Sequence, residues 1–300
     1  MAVPLLLVPS DPLAPWVPDR HFMREADAAQ QAGMGVAMVD QDAVLAGDVQ
    51  AAVRRVPTSD GERVAWYRGW MMPSAAYSRL QAALRTCRVR LLTDTPAYQA
   101  AHELPGWYGI FANLTPASVW LPGEPGRTPT SADVGALVEA LGGGSGVVKD
   151  YVKSRKHEWH EACFVPDLAD VAATTRVIGR MVELQGDDLA GGIVVRAFEK
   201  FTPDADGHIQ EVRIWWVAGS AVLITPHPDA PARATVDVPT AVCVAVGASV
   251  RALGAPFVTT DLALRSDGVW RVIEVGDGQV SDLPAAEDPA LLMQALAVGC

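Results

Sequence analysis

Short apolar blocks at 5–8, 35–39, 64–67 and 89–92 alternate with stretches of helical repeat, notably 24–32 and 75–85. Blocks of this length, rich in Val, Leu and aromatic residues, fit strands, and the alternation predicts a small α/β unit with a partly parallel sheet over 1–95. Its first strand is not followed by G-x-G-x-x-G, so a dinucleotide fingerprint is absent. A Pro- and Gly-rich stretch at 121–131 reads as a loop, and Thr130-Ser131-Ala132-Asp133 has the form of a capping box that starts a helix ending at the glycines 142–144. Leu168, Val171, Val177, Ile178, Met181 and Val182 form a helical stripe over 167–185, stopped by Gly186, and a strand follows at 193–201. Segments 210–217 and 221–225 predict a hairpin around Gly219. An irregular loop with four prolines at 226–239, a helix at 240–253 and two strands at 257–265 and 269–275 complete the chain.

Residues 148–165 read VKDYVKSRKHEWHEACFV. Both flanks are β-branched and aromatic, which predicts two strands around a basic turn. HEWHE departs from H-E-x-x-H, since His157 and His160 are three apart. In a strand such residues face opposite sides, which argues against a zinc site.

Composition narrows the partner more than it defines the fold. The chain has 300 residues, half of them hydrophobic and a fifth charged, enough for two or three packed units. A net charge of −11 without a long basic run argues against nucleic acid or a membrane surface and favours a small partner. Cys87, Cys163, Cys243 and Cys300 lie far apart, as in a protein of the reducing cytoplasm. The N-terminal apolar run lacks a basic flank and is interrupted by Pro4, so it reads as a first core strand. The apolar stretch 241–258 is broken by Arg251, Gly254 and Pro256, short of a membrane span.

The chemistry concentrates late in the chain. If Asp267-Gly268 is a two-residue type I′ turn, Ser266 pairs with Val269 and Asp261 falls opposite Glu274. Two carboxylates about 5 Å apart repel by roughly 3 kcal/mol at an effective dielectric near 20, so a divalent cation, or an arginine such as Arg196 or Arg213, is expected to compensate. Lys149, Lys153, Arg155 and Lys156 place four cations within eight residues, a density suited to phosphate oxygens.

Lys149 on a strand, the basic turn, a helix, the strands VVRAFEKF and EVRIWWV, and D-x12-E on paired strands followed by a Gly-rich segment together resemble the ATP-grasp superfamily, nearest to the clade named for two arginines and one lysine. The resemblance implies an ATP-grasp fold with an N-terminal pre-ATP-grasp α/β domain: 1–95, a small lobe with the phosphate loop at 96–198, and a C-terminal lobe with the Mg²⁺ site at 199–300. It implies ATP held between lobes. Lys149 would contact phosphate, and Lys153 and Ser154 would form the closing loop. Backbone of Glu199, Lys200 and Phe201 would meet the adenine edge, and Glu211 the ribose. Arg196 and Arg213 match the two arginines, and Asp261 and Glu274 the Mg²⁺ ligands. Family members commonly carry E-x-N at the second metal position. Here Glu274 is followed by Val275 and Gly276, which brings in Asp277 or Gln279 as substitutes, and no earlier phosphate-binding lysine is present. Arg68 resembles a substrate-carboxylate contact of the N-terminal domain.

The implied activity is an ATP- and Mg²⁺-dependent carboxylate-amine ligase, ADP-forming, that makes an amide through an acyl phosphate from a carboxylate and an amine, either small molecules or peptides. A homodimer is compatible with this reading. The rivals are a phosphotransferase on the same fold and a non-catalytic nucleotide-binding protein.

Overall fold

The computed structural model describes residues 3–203, 209–228 and 237–299. Part of the proline-rich loop expected at 226–239 and the thiol of Cys300 lie outside them. The chain divides into two compact units. The first comprises Met1–Ala101, Glu211–Leu262 and Val275–Cys300, and the second His102–Gln210 and Ala263–Glu274. Residues 211–262 and 275–300, expected with a separate C-terminal lobe, instead group with the N-terminal segment.

In the first unit, β1 (Leu5–Pro9), β2 (Gly35–Val39), β3 (Arg63–Tyr67) and β4 (Val89–Leu91) form a wholly parallel sheet in the order β2-β1-β3-β4. The intervening helices are α1 (Met23–Gln31), α2 (Gln41–Ala46), α3 (Val49–Val53) and α4 (Ser74–Thr86). Successive side chains of a strand point to opposite faces, so β1 feeds two cores at once. Leu5 and Leu7 pack with Val39, Tyr67, Tyr77 and Leu80. Leu6 and Val8 pack with Trp66, Trp215, Phe257 and the C-terminal helix residues Leu292, Met293 and Leu296.

Two further helices, α5 (Thr95–His102) and α6 (Leu104–Phe111), lead to the second unit's antiparallel sheet. Its strands β5 (Ser118–Pro122), β6 (Gly146–Asp150), β7 (Phe164–Val165) and β8 (Gly192–Ala197) run in the order β5-β8-β6-β7. Helices α7 (Ser131–Glu139) and α8 (Val171–Gln185) cover one face, burying Val134, Ile178 and Met181 against Val148, Ile193 and Val195. The expected capping box is present: the Asp133 N–H donates to Thr130 Oγ1 at 3.2 Å and the Thr130 N–H to Asp133 Oδ2 at 3.1 Å.

The remaining elements are β9 (Glu211–Val217), β10 (Ser220–Pro226), α9 (Thr240–Leu253), β11 (Phe257–Leu264), β12 (Trp270–Asp277) and α10 (Ala290–Val298), with sheet order β10-β9-β11-β12. The β9/β10 turn has Ala218 at φ 49° and Gly219 at φ 75°, and Val217 pairs with Ser220. Two positive φ values give the two-residue primed turn whose twist matches its strands.

Two local expectations are corrected. Residues Trp159–Cys163 form one π-helical turn after a 3₁₀ turn at Lys156–Glu158, and only Phe164 and Val165 pair with β6. The strand expected there is helical because it buries Ala162 and Cys163, so strand geometry does not part His157 from His160. At the β11/β12 turn the Gly268 N–H donates to the Arg265 carbonyl at 2.9 Å and the Arg265 N–H to the Val269 carbonyl at 2.8 Å. The loop is therefore three residues long, 266–268, with Gly268 at φ 86°. The frame that set Asp261 opposite Glu274 fails at its origin.

Candidate active site

The second unit supplies a cationic group. Lys149 extends from β6 with a buried side chain, and its Nζ donates to the Val152 carbonyl at 3.0 Å and lies 3.6 Å from Glu274 Oε1. Buried Asp150 builds the turn beside it. Its carboxylate accepts from the backbone N–H groups of Val152 and Lys153 and from Gln185 Nε2 at 2.6 Å. Lys149 and Ser154 thereby face each other across an isolated bridge. Nearby His102 is held down to about 4, first by burial and then by the charges of Lys153 and Lys149, which keeps it neutral at pH 7.

Glu199, Lys200 and Phe201 do not stand alone as an open strand. The Glu199 carboxylate is held by Arg271 Nε at 3.0 Å and Arg265 Nη1 at 3.2 Å. The Lys200 carbonyl accepts from the Ser266 N–H at 3.0 Å, and Phe201 bridges to Arg265. Arg196 is buried beneath the ring of Trp107, and its Nε donates to Ser118 Oγ at 3.0 Å and its Nη1 to the Ile273 carbonyl. Burial lowers it to about 10, still protonated at neutral pH.

The first unit holds an anionic group. Arg213 on β9 grips Asp261 on β11 in a bidentate pair, Nε to Oδ1 and Nη2 to Oδ2, both at 2.8 Å, while Nη1 donates to the Asp282 carbonyl at 3.1 Å. Asp261 is 3% exposed. Burial pushes its carboxyl up, but Arg213 and His227 outweigh that and hold it well below the usual carboxylate range. His227, just after β10, has Nε2 3.5 Å from Asp261 Oδ2 and 4.0 Å from Glu211 Oε1. Burial lowers the His227 pKa, but Asp261 and Glu211 raise it by more. Asp261, Glu211 and His227 offer donors within 4.8 Å of one another, a set of oxygens and nitrogen that fits a divalent cation.

The fold thus brings Lys149 to Glu274 in one unit and Glu211 to Asp261 and Arg213 in the other. His227 is the residue that sequence reasoning missed. Counted from the two-residue turn, His227 falls opposite Gln210, but a β-bulge between Ala221 and Leu223 moves it beside Glu211.

Three expectations are revised. Gln279 is fully buried, with Nε2 donating to Tyr77 Oη at 2.8 Å and Oε1 accepting the Tyr67 N–H at 3.0 Å, so its amide is committed to packing. Asp277 is also fully buried. Its Oδ1 accepts from the Gln279 N–H at 2.9 Å, its Oδ2 meets no hydrogen-bond partner among the described residues, and burial pushes its carboxyl up to about 7. Arg68 is fully buried against Glu25 at 2.5 and 2.8 Å and against the carbonyls of Gly278 and Ser281, an internal anchor shut away from any substrate.

The family model of an ATP-grasp domain, the third family of its clade, matches residues 140–296, and the chain belongs to the ATP-grasp family. D-cycloserine synthetase DcsG is similar over 98% of this chain and 99% of its own, at 16% identity and a TM-score of 0.63. The ATP-grasp ligase PsnB, solved with a minimal precursor, Mg and ADP, is similar over 98% and 97% at 11% identity and a TM-score of 0.58. D-alanine–D-alanine ligase from Bacillus anthracis, complexed with ATP, is similar over 99% and 98% at 14% identity and a TM-score of 0.58. At these identities the likeness concerns the fold. No curated protein matches the sequence.

Proposed function

We propose that the protein is an ATP- and Mg²⁺-dependent ligase of the two-arginine, one-lysine clade that joins a carboxylate to an amine. The observation that carries this reading is the Lys149–Glu274 pair. Residues assigned from sequence to phosphate and to the cation, 125 positions apart, meet at 3.6 Å, with the lysine buried on a rigid strand. A buried ammonium held beside one carboxylate is poised to exchange that partner for phosphate oxygens.

The chemistry divides among these residues. Lys149, with Lys153 and Ser154 from the turn that Asp150 fixes, binds the phosphates, and backbone of Glu199 and Phe201 serves the base. A substrate carboxylate attacks the γ-phosphate, ADP leaves, and an amine then displaces phosphate from the acyl phosphate to give the amide. Arg213 supplies positive charge where the oxyanion of that second step develops. Arg196, committed to Ser118 and Ile273, positions β12 and its Glu274. Glu274, beside Lys149, is a carboxylate through which Mg²⁺ would be held at the phosphates, and Asp261, in the other unit, is a carboxylate that would hold an ion there; the ion when bound would neutralise phosphate charge.

The test is a screen of amino acids and short peptides with ATP and Mg²⁺, measuring ADP, free phosphate and the mass of the product. A ligase releases ADP and phosphate in equal amounts with an amide. ADP without phosphate, accompanied by a phosphorylated product, would establish the phosphotransferase instead. In calorimetry, Lys149→Ala should weaken ATP binding, and unchanged affinity removes Lys149 from the site.

A further inference from the structure

Glu211, His227 and Asp261 come from three segments that the sheet order β10-β9-β11 brings side by side. Pro226 pairs with Val212, so the next residue, His227, comes level with Glu211. Donors bound to one ion at roughly 2.1 Å stand roughly 3 Å apart when adjacent and roughly 4.2 Å apart when opposite. The imidazole Nε2 lies 3.5 Å from one carboxylate and 4.0 Å from the other, between those two separations. All three side chains are at least partly shielded, at 26% exposure for Glu211, 15% for His227 and 3% for Asp261.

The charge balance points the same way. Among the described residues, the two carboxylates face one permanent cation, Arg213. Arg213 does not close the site to an ion. A carboxylate oxygen accepts in two directions, so Asp261 Oδ2 can take the Arg213 N–H at 2.8 Å on one side while facing His227 on the other.

We propose that Glu211, His227 and Asp261 bind one divalent transition-metal ion, with Mn²⁺ favoured over Mg²⁺. Mg²⁺ takes oxygen donors in strict octahedral geometry, whereas an imidazole nitrogen beside two carboxylates suits the first-row metals. The assignment moves Glu211 from ribose to metal. It deepens the ligase reading, on which any link to turnover rests. Occupancy needs no nucleotide, because all three donors belong to one unit.

Titration of the full chain with Mn²⁺ alone, followed by electron paramagnetic resonance, tests the site. One bound Mn²⁺ per chain is expected, with the ¹⁴N coupling of a ligating imidazole in the pulsed spectrum. His227→Ala should weaken Mn²⁺ binding by roughly tenfold or more and abolish that coupling. Glu211→Gln should weaken binding but keep the coupling, which guards against a folding defect in the histidine variant. The exposed pair His157→Ala/His160→Ala should change neither. Absence of a bound Mn²⁺, or coupling that survives in His227→Ala, overturns the site. If Mn²⁺ binding fails while Mg²⁺-dependent release of ADP and phosphate persists, the metal assignment falls and the ligase reading stands. Bound Mn²⁺ with imidazole coupling but no turnover on any acid and amine supports the site and sinks the ligase reading.

Discussion

Asp277→Asn should stabilise the protein, and by an amount that depends on pH. The Asp277 carboxyl is fully buried, one oxygen has no partner among the described residues, and burial moves its pKa from 3.8 to about 7 despite the Gln279 hydrogen bonds and the Arg68 charge that act the other way. At 1.36 kcal/mol per pH unit, that difference amounts to about 4 kcal/mol. Because the folded-state pKa is raised, the folded protein holds the proton more tightly than the unfolded chain. The associated stability is complete below pH 3.8 and is lost as pH rises through 7. Asparagine keeps an oxygen for the Gln279 N–H and never ionises. Wild type and Asp277→Asn should therefore be about equally stable near pH 4, and the variant should gain about 4 kcal/mol by pH 8. Urea unfolding followed by tryptophan fluorescence at a series of pH values reads this directly. A stability difference that stays flat between pH 4 and pH 8 would refute the idea that a buried carboxyl is being forced to ionise.

Glu25→Gln leaves the guanidinium of buried Arg68 with two carbonyls and half a partner, and should cost about 3–5 kcal/mol in urea unfolding; a loss below about 1 kcal/mol would mean the pair is not a clamp. Gly192→Ala would drive a Cβ well inside van der Waals contact with the Leu121 carbonyl oxygen where β5 and β8 pair, so the second unit should lose its cooperative melt in circular dichroism, and a native melt would show that the strands can part.

Legibility in the sequence followed the range of the interactions involved. The first unit's four strands, the capping box at Thr130 and the β9/β10 turn are local, and periodicity and turn chemistry reveal them. Asp267-Gly268 is local too, yet the pair suits both a two-residue and a three-residue loop. Arg265, which grips Asp267 at 2.7 and 3.0 Å, sits beside the longer form. What stayed hidden depends on distant partners. Arg68 is conspicuous in the sequence, but Glu25, 43 residues earlier, decides what it does. The aromatic run at Trp159 looks like strand, and burial of Ala162 against Ile178 and Met181 of α8 goes with its helical form. His227 reaches the candidate site through a bulge of one residue, which no count from a turn can supply. The grouping of 211–262 and 275–300 with the first hundred residues is equally non-local.

The packing of α10 on the first sheet has a consequence for the order in which the chain is made. Leu6, Val8 and Trp66 emerge from the ribosome early, whereas Leu292, Met293 and Leu296, which cover them, come last. About 190 residues separate Ala101 from Leu292. At ~5–20 residues per second, the part of that sheet face that α10 covers waits roughly 10–40 s for its partner, with Phe22, Ala26 and Ala29 of the α1 region already beside it. Within that interval segment 102–210, the larger part of the second unit, is made without interruption, and its remaining residues 263–274 follow.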